Sequence, residues 1–444
     1  MNFIEKFQEA IKIPTWRQKD VNDEDETALE PLVRFQGFLK DNFSAFHNSA
    51  QRWVLNPYSV IYHLPGKSKK GAVLFLSHYD VVPAEKEKWN FDPFGAEINE
   101  GFIYGRGTID MKSTLVCIME AAENLCAQGW KPEKDIWFAF GGDEERGGAL
   151  GAKEAANWFK ERKQKFDWIM DEGSPIAENQ IEGIDTPLAL ISIEEKGNLS
   201  LYLTVEQQPG HASRPPKIQA AAILGKALIK IGNKSFPYKL RPTVEVFFKE
   251  ISKMIPGIKG FVLSHTRLLG PLFFKLVATS ATVQSMLKTT VAMTMLEGSA
   301  ADNVMPSKVR AVINMRLLPP WTIESATAYI KKIINDKRVQ ISMYEHGANP
   351  VTANYTANKF RRHGWQEIEN ALNEVYPGIP LLPFIMVAIT DSRHYKELTD
   401  SIIRFNPQKL TPEELDRVHG HDERISIENL NRELLFYTNL LRVL

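Results

Sequence analysis

The sequence predicts an α/β protein whose main domain is built from two segments of the chain, with a smaller α+β domain inserted between them. Three observations support this fold class. Apolar runs alternate with helical patterns in residues 1–195, strands of alternating polarity follow in residues 196–350, and the first pattern returns in residues 351–444. Buried parallel strands are typically continuous apolar runs, whereas antiparallel strands with one solvated face alternate in polarity.

Length and composition agree with two globular domains. The chain has 444 residues, of which 43% are hydrophobic, and its 54 basic residues balance 54 acidic ones. A chain of this length normally divides into more than one domain. Because the net charge is zero, the protein offers no overall basic field for nucleic acid, and we expect no such partner.

The sequence also predicts a cytoplasmic protein without a membrane span. The first twenty residues lack the basic start and apolar run of a signal peptide, and no apolar stretch has the length of a spanning helix. Cys117 and Cys126 lie nine residues apart in one helical pattern. That spacing corresponds to roughly 13 Å along a helix, which is too far for a disulfide, so both are expected to be free thiols.

The first segment contains three apolar runs that we expect to be neighbouring strands of one sheet. They are residues 71–78, 135–140 and 166–173. Helical patterns follow the first two runs, at residues 113–130 and 148–164. Strands that alternate with helices in this way predict a parallel sheet covered by helices.

The two remaining segments are predicted from the same patterns. In the inserted domain, strands at 198–205 and 309–320 flank a helix at 217–232. The apolar stretch 255–290 is expected to pack in a core, with an apolar wall for long or aromatic acyl groups as the alternative. The last segment predicts a helix at 357–375, a strand at 381–389 and a helix at 426–444.

Acidic residues and a histidine stand where the predicted strands end. The set comprises His78, Asp80, Asp110, Asp143, Glu144, Glu145, Asp171 and Glu172. Ligands of open α/β sheets bind beyond the carboxyl ends of the strands, so we expect these side chains to converge. Such a cluster of carboxylates is costly unless cations neutralise it, and carboxylate with imidazole suits zinc, manganese or cobalt. The sequence therefore predicts a hydrolytic site with two metals bridged by one carboxylate.

The motifs resemble those of the M20 family of di-metal peptidases and aminoacylases. The similar stretches are SHYDVVP, YGRGTIDMK, GGDEERGG, MDEG, ADNVMPSKVRAVINMRLLP and HGHDERI, and they cover essentially the whole chain. IKIPTW and MLKTTVAMTMLEGSAADNVMP are most similar to the carboxypeptidase S branch. The resemblance implies a catalytic domain with a zinc-peptidase-like mixed sheet flanked by helices, and an inserted α+β domain that serves as a lid or for dimerisation.

The resemblance also implies a role for each site residue. Asp110 would bridge two divalent ions, most simply zinc, with cobalt or manganese as alternatives. His78 and Asp171 would complete one metal site, and Glu145 and His419 the other, with His421 left open in place of His419. Glu144 would be the general base and Asp80 would orient His78, while Asp143 would cap the following helix.

Four further residues are predicted to contact the substrate. By resemblance, His211 would stabilise the oxyanion and Asn303 would add polar contacts. Arg393 would bind a free carboxylate, for which a guanidinium is suited. Arg316 would do either job or form an ion pair on its strand.

These residues together predict an amidohydrolase that acts on the bond next to a free carboxylate, in a peptide or an N-acyl amino acid. An aminopeptidase or dipeptidase of the same family is the alternative, but it needs a group for the substrate's ammonium, which we do not identify. A catalytically silent metal-binding protein is the non-enzyme alternative, and a homodimer is an open arrangement. A dinucleotide-dependent oxidoreductase would need a glycine-rich turn after the first strand, where SHYDVVP stands instead.

Overall fold

The computed structural model describes residues 1–17, 26–68, 70–179, 184–234, 236–277, 281–345, 347–352 and 364–444. These residues form two compact units. The first comprises the described parts of Met1–Ile193, Ala353–Phe384 and Thr390–Leu444, and the second comprises those of Glu194–Thr352 together with Ile385–Ile389. The boundaries lie close to those expected at 195 and 351, but the short segment Ile385–Ile389 has no counterpart in the sequence-based division.

The described residues form strands and helices with the following bounds. The strands are β1 (Gln51–Asn56), β2 (Ser59–Leu64), β3 (Ala72–His78), β4 (Ile98–Asn99), β5 (Phe102–Tyr104), β6 (Asp135–Gly141), β7 (Trp168–Ala177), β8 (Leu188–Glu195), β9 (Gly197–Glu206), β10 (Gly210–His211), β11 (Thr290–Glu297), β12 (Val304–Met305), β13 (Lys308–Leu317), β14 (Gln340–Met343), β15 (Leu381–Met386), β16 (Ile402–Leu410) and β17 (Arg424–Ser426). The helices are α1 (Phe3–Ile11), α2 (Glu26–Asn42), α3 (Ser44–Ser49), α4 (Lys112–Ala127), α5 (Ala152–Glu161), α6 (Ala220–Asn233), α7 (Pro242–Ile251), α8 (Gly257–Ser264), α9 (Gly270–Val277), α10 (Ala281–Leu287), α11 (Ile323–Ile334), α12 (Trp365–Val375), α13 (Pro412–Leu415) and α14 (Ile427–Arg442).

The first unit is organised around a mixed sheet with the strand order β1-β2-β6-β3-β7-β16-β8-β15. Its four central strands, β6, β3, β7 and β16, run parallel. Every residue of β3 is buried, because helices cover both faces of the sheet. The predicted α/β architecture with a mixed sheet flanked by helices is confirmed.

The second unit contains an antiparallel sheet with the order β11-β13-β9-β14. Buried and half-buried residues alternate along β9, as a strand with one covered face requires. Helices α6 and α11 cover that face, and their apolar residues form one core with Leu199, Leu201 and Leu203. The predicted α+β domain is therefore present.

The apolar stretch 255–290 folds into α8, α9 and α10 and reaches the first residue of β11. Val262, Leu263 and Phe273 are buried, and the Phe273 ring lies 4.9 Å from that of Phe248. Ile258 and Leu268 are instead 81% and 78% exposed. The stretch packs in a core through only part of its apolar residues, and positions 278–280 lie outside the described residues.

The last segment follows the predicted order. Helix α12 begins at Trp365, so residues 357–363 of the predicted helix lie outside the described part of the chain. Strand β15 and helix α14 occupy the other two predicted positions. Cys117 and Cys126 are both buried free thiols. None of the described helices combines the length and the apolarity that crossing a membrane requires.

Candidate metal centre

The parallel strands of the first unit bring ligand side chains to one edge of the sheet. In the register, His78 at the end of β3 lies opposite Gly141 at the end of β6, and the turn Glu144–Arg146 follows Gly141. Strand β7 pairs with the other side of β3 and carries Glu172. Asp110 stands just before α4. The predicted convergence at the carboxyl ends of the strands is what the fold shows.

Two groups of possible ligands share Asp110. The first group is His78, Asp110 and Glu172, and the second is Asp110, Glu145 and His419; within each group the ligand atoms lie within 4.8 Å of one another. In the first, His78 Nε2 lies 3.1 Å from Asp110 Oδ1 and 3.7 Å from Glu172 Oε1. In the second, His419 Nε2 lies 3.0 Å from both Asp110 Oδ2 and Glu145 Oε1. Each group thus uses a different oxygen of the Asp110 carboxylate.

One residue of the predicted ligand set, Asp171, lies outside both groups. The Asp171 Oδ2 accepts a hydrogen bond from the Ser392 N–H at 2.8 Å, and its Oδ1 accepts one from the Glu172 N–H at 2.9 Å. Glu172, the next residue along β7, takes the place expected for Asp171. Neighbouring side chains of a strand point to opposite sides, so only one acid of the pair can face the site. The sequence contained both acids but no signal that told them apart.

The positions of the two candidate histidines favour His419 as the ligand. His419, rather than His421, reaches the carboxylates of Asp110 and Glu145. His419 adopts a left-handed backbone conformation with φ of 61° in the turn before β17.

Asp80 connects His78 with the turn that carries the paired glutamates. The His78 Nδ1 atom lies 3.0 Å from the Asp80 main-chain oxygen and 3.4 Å from its Oδ1. Both carboxylate oxygens of Asp80 also accept hydrogen bonds, at 3.1 Å, from the N–H groups of Glu144 and Glu145. Asp80 can therefore orient the imidazole, as predicted, and fix the glutamate turn as well.

The three consecutive acids at 143–145 have separate surroundings. The Asp143 carboxylate accepts hydrogen bonds from the N–H groups of Leu150 and Gly151, at 2.7 and 2.8 Å, and so holds the loop before α5. Glu145 belongs to the second ligand group, whereas Glu144 belongs to neither. Glu144 is half-buried, and its carboxyl interacts electrostatically with Glu172 and His78 of the first group and with Glu145 of the second.

The guanidinium of Arg393 donates hydrogen bonds to main-chain oxygens of the protein. Its Nη2 donates to the Gly147 carbonyl oxygen at 2.6 Å, and its Nη1 donates to the Thr390 carbonyl oxygen at 3.2 Å. Part of the guanidinium fork is therefore engaged within the protein. Its role in binding a substrate carboxylate stays a prediction.

The electrostatics of the centre favour cations. Burial, reinforced by the Asp110 charge, raises the pKa of Glu172 to about 8, and burial also raises the pKa of Glu144 and Glu145. Hydrogen bonds to Asp110 and Glu145 raise the pKa of His419 to about 10. Although burial opposes it, the hydrogen bonds from His419 and His78 hold the pKa of Asp110 well below its usual range. A divalent cation can displace the protons that crowded acids retain in this way.

The donor atoms of the centre fit divalent metals. Both groups combine imidazole nitrogen with carboxylate oxygen and contain no thiolate, a set suited to zinc, cobalt or manganese. Two groups that share one carboxylate are also the arrangement of two-metal hydrolytic sites.

The substrate residues predicted in the second unit are His211, Asn303 and Arg316. His211 in β10 lies opposite Val304 in β12, and the Ala212 N–H donates to the Asn303 carbonyl oxygen at 3.0 Å. This small sheet brings His211 and Asn303 together, and both are exposed. The His211 Nδ1 accepts a hydrogen bond from the Ser213 N–H at 3.1 Å, which leaves Nε2 as the outward nitrogen.

Arg316 in β13 is half-buried, and burial lowers its pKa. Within the described chain its guanidinium has no hydrogen bond and no ion pair. The described residues therefore do not show the ion pair that was the alternative prediction for Arg316.

Comparison with known proteins gives the class. Residues 74–443 match peptidase family M20/M25/M40, and the chain belongs to this family. It is a metal-dependent hydrolase.

Individual relatives lie on the branch that the motifs indicate. The chain is 33% identical, over 99% of its length and 85% of the relative's, to "Probable carboxypeptidase S-like 2" of Dictyostelium discoideum. It is 31% identical, with the same coverage, to the N-fatty-acyl-amino acid synthase/hydrolase PM20D1 of Xenopus tropicalis.

Solved structures confirm the fold. The chain is similar to an M20 family metallo-carboxypeptidase from Sulfolobus solfataricus, with a TM-score of 0.72 and 17% identity over 100% of this chain and 99% of that one. Human carnosine dipeptidase 1 gives a TM-score of 0.70 with 17% identity over 99% and 95% of the two chains.

Proposed function

We propose that this chain is a two-metal amidohydrolase that cleaves the amide bond next to a free carboxylate, in a C-terminal peptide bond or an N-acyl amino acid. The observation that carries the proposal is the sharing of Asp110 between two ligand groups beside the unligated carboxylate of Glu144. The names of its relatives, carboxypeptidase and fatty-acyl-amino acid hydrolase, support the same substrate chemistry.

His78, Asp110 and Glu172 would hold one divalent ion, and Asp110, Glu145 and His419 the other. We propose zinc, with cobalt and manganese as substitutes that the same donors accept. When bound, such ions polarise the scissile carbonyl and lower the pKa of water.

The chain's own residues supply the proton transfers and the positioning. Glu144 accepts the proton of the attacking water on its carboxylate and passes it to the leaving nitrogen. Asp80 holds both His78 and the Glu144 main chain in place through the hydrogen bonds described above. His211 donates from Nε2 to the developing oxyanion, a role that its outward nitrogen allows.

Of the two arginines predicted to contact the substrate, we propose Arg316 in place of Arg393 as the group that binds its free carboxylate. Its half-buried guanidinium lacks an anion within the described chain, whereas Arg393 already donates to two main-chain oxygens. A partly desolvated cation of this kind binds a carboxylate strongly. Asn303, beside His211, would add a polar contact. A cytoplasmic location also stays a proposal, with which two buried free thiols agree.

The test is a hydrolysis screen with metal content measured on the same sample. N-acyl amino acids of increasing chain length and N-blocked dipeptides should be hydrolysed, and their C-terminal amides should be hydrolysed far more slowly. Arg316→Gln should remove most of that difference, whereas Arg393→Gln should lower the rates on acids and amides alike. Preference for peptides with a free amino terminus, regardless of the carboxylate, would instead support the aminopeptidase alternative.

A further inference from the structure

The loop that presents Asp110 is built around the carboxylate of Glu423. This side chain is fully buried, and its Oε1 accepts hydrogen bonds from the N–H groups of Gly107, Ile109 and Asp110, at 3.1, 2.8 and 3.2 Å. Its Oε2 accepts one from Arg106 Nη1 at 2.6 Å. Convergent N–H groups of this kind form an anion-binding concavity, so the conformation of the loop depends on an anion at this place.

Glu423 also belongs to the segment that presents His419. Arg106 Nη2 donates to the Gly420 carbonyl oxygen at 2.9 Å, and the Gly105 N–H donates to the Glu423 carbonyl oxygen at 2.8 Å. Directly after Glu423, β17 pairs with β5, which leads into the Asp110 loop. The two loops are thus joined through Glu423 and Arg106.

The turn that carries His419 needs such support. His419 and Asp422 both have left-handed backbone conformations, with φ of 61° and 52°. Residues other than glycine keep this conformation only where their surroundings impose it. The Asp422 carboxylate accepts hydrogen bonds from the Asn90 N–H and Nδ2, at 2.8 and 2.6 Å, and Glu423 fixes the next position.

We propose that Glu423 is a positioning residue of the metal centre which, together with Arg106, sets the separation of Asp110 and His419. The inference rests on the two-metal function proposed above. Two of the three side chains in the Asp110–Glu145–His419 group depend on this clamp, compared with one of three in the His78–Asp110–Glu172 group. Loss of the clamp therefore weakens the His419 metal more than the His78 metal.

The experiment titrates metal-free protein with Co²⁺ and follows the absorption of the bound ion. Wild type should bind two equivalents. Glu423→Gln should bind the first as wild type does and the second at least about tenfold more weakly, the usual effect of losing a group that orients metal ligands. Glu433→Gln is the matched control, because Glu433 is equally buried in the same unit but contacts neither loop, and it should bind both equivalents normally.

Ligand variants identify which metal is weakened. Glu423→Gln should add little to Glu145→Gln, which already lacks a ligand of the His419 group. In the Glu172→Gln background it should abolish the remaining binding. Wild-type affinities in Glu423→Gln, or equal weakening of both metals, would overturn the inference.

The experiment distinguishes failure of the proposed two-metal function from failure of the role proposed for Glu423. A wild type that binds fewer than two equivalents would overturn the two-metal function itself, not the role of Glu423. If Glu423→Gln does not fold, Arg106→Lys takes its place, because a lysine keeps the cation but lacks the guanidinium fork whose two separate nitrogens reach Glu423 and Gly420. A smaller weakening confined to the His419 metal is then expected, and its absence would overturn the inference.

Discussion

Two adjacent glutamates in the turn after β6 are expected to have different roles. Glu145 lies 3.0 Å from His419 in a ligand group, whereas the carboxylate of Glu144 belongs to neither group. We expect Glu144→Gln to retain both metals and lose at least about a hundredfold in kcat, the usual worth of a general base. Glu145→Gln should lose about one metal equivalent, as measured by elemental analysis. Equal metal loss in the two variants would contradict this division of roles.

The neighbouring acids of β7 provide a second test. Glu172→Gln removes a carboxylate oxygen from the His78 group and should lower metal content. Asp171→Asn keeps an acceptor for only one of the N–H groups of Ser392 and Glu172, but it removes no oxygen from either ligand group, so metal content should remain near that of wild type. Elemental analysis and thermal unfolding of both variants decide the matter. Metal loss in Asp171→Asn, without loss in Glu172→Gln, would restore the assignment made from the sequence.

At the scale of single residues, the sequence predicts the chemistry better than the geometry. His78, Asp110, Glu145 and His419 are identifiable because each has a ligand side chain next to a strand end or in a recognisable motif. Asp171 and Glu172 are equally acidic neighbours, and only the facing side of β7 distinguishes them. The main-chain oxygen that Arg393 binds at Gly147 likewise cannot be identified from the sequence, because it depends on how the Glu144–Arg146 turn folds.

Helices α4 and α14 pack against each other through a buried acid. Glu433 of α14 is fully buried and accepts hydrogen bonds from Thr114 Oγ1 at 2.6 Å and Gln408 Nε2 at 3.1 Å. These donors are neutral, and burial raises the pKa of Glu433 to about 7. These hydrogen bonds join α14 to α4 and to β16.

The pH dependence of stability follows from that shift. Between the pKa of an unfolded glutamate and about 7, the folded protein retains the proton that the unfolded chain loses, so stability falls as pH rises. Glu433→Gln removes this dependence. From pH 5 to pH 8, the free energy of unfolding of the variant should therefore rise by roughly 2–3 kcal/mol relative to that of wild type. Denaturant titrations at several pH values measure the difference, and parallel pH profiles for the two proteins would contradict it.

At the scale of elements, the strands and helices of both units follow from periodicity. The continuous apolar run of β3 and the alternation along β9 distinguish a strand covered on both faces from one covered on a single face. The return of Ile385–Ile389 to the second unit could not be predicted, because it depends on which unit a short apolar stretch contacts.

The whole molecule presents an exposed edge strand. Strand β11 ends the sheet of the second unit, and its Met293, Met295 and Leu296 are 45%, 40% and 73% exposed. An unpaired edge with apolar side chains is a template for pairing with another chain. We propose that a second copy pairs there and forms a homodimer, which analytical ultracentrifugation measures. Leu296→Lys should shift the protein toward monomer, while the exposed Ile258→Lys serves as the control outside the edge.

The last prediction concerns where the His211 of each active site comes from. His211→Ala should keep its metals and lose roughly a hundredfold in kcat, the scale of one lost oxyanion donor. Its source is either the same chain or the partner in a dimer, and the exposed β11 edge favours the partner. Mixing inactive His211→Ala with inactive Glu144→Gln under subunit exchange then places an intact Glu144 and an intact His211 in one shared site. Statistical pairing predicts recovery of up to about a quarter of wild-type activity. No recovery, with exchange confirmed by differently tagged chains, would mean that each chain supplies its own His211. Full activity of His211→Ala alone would remove this residue from the mechanism.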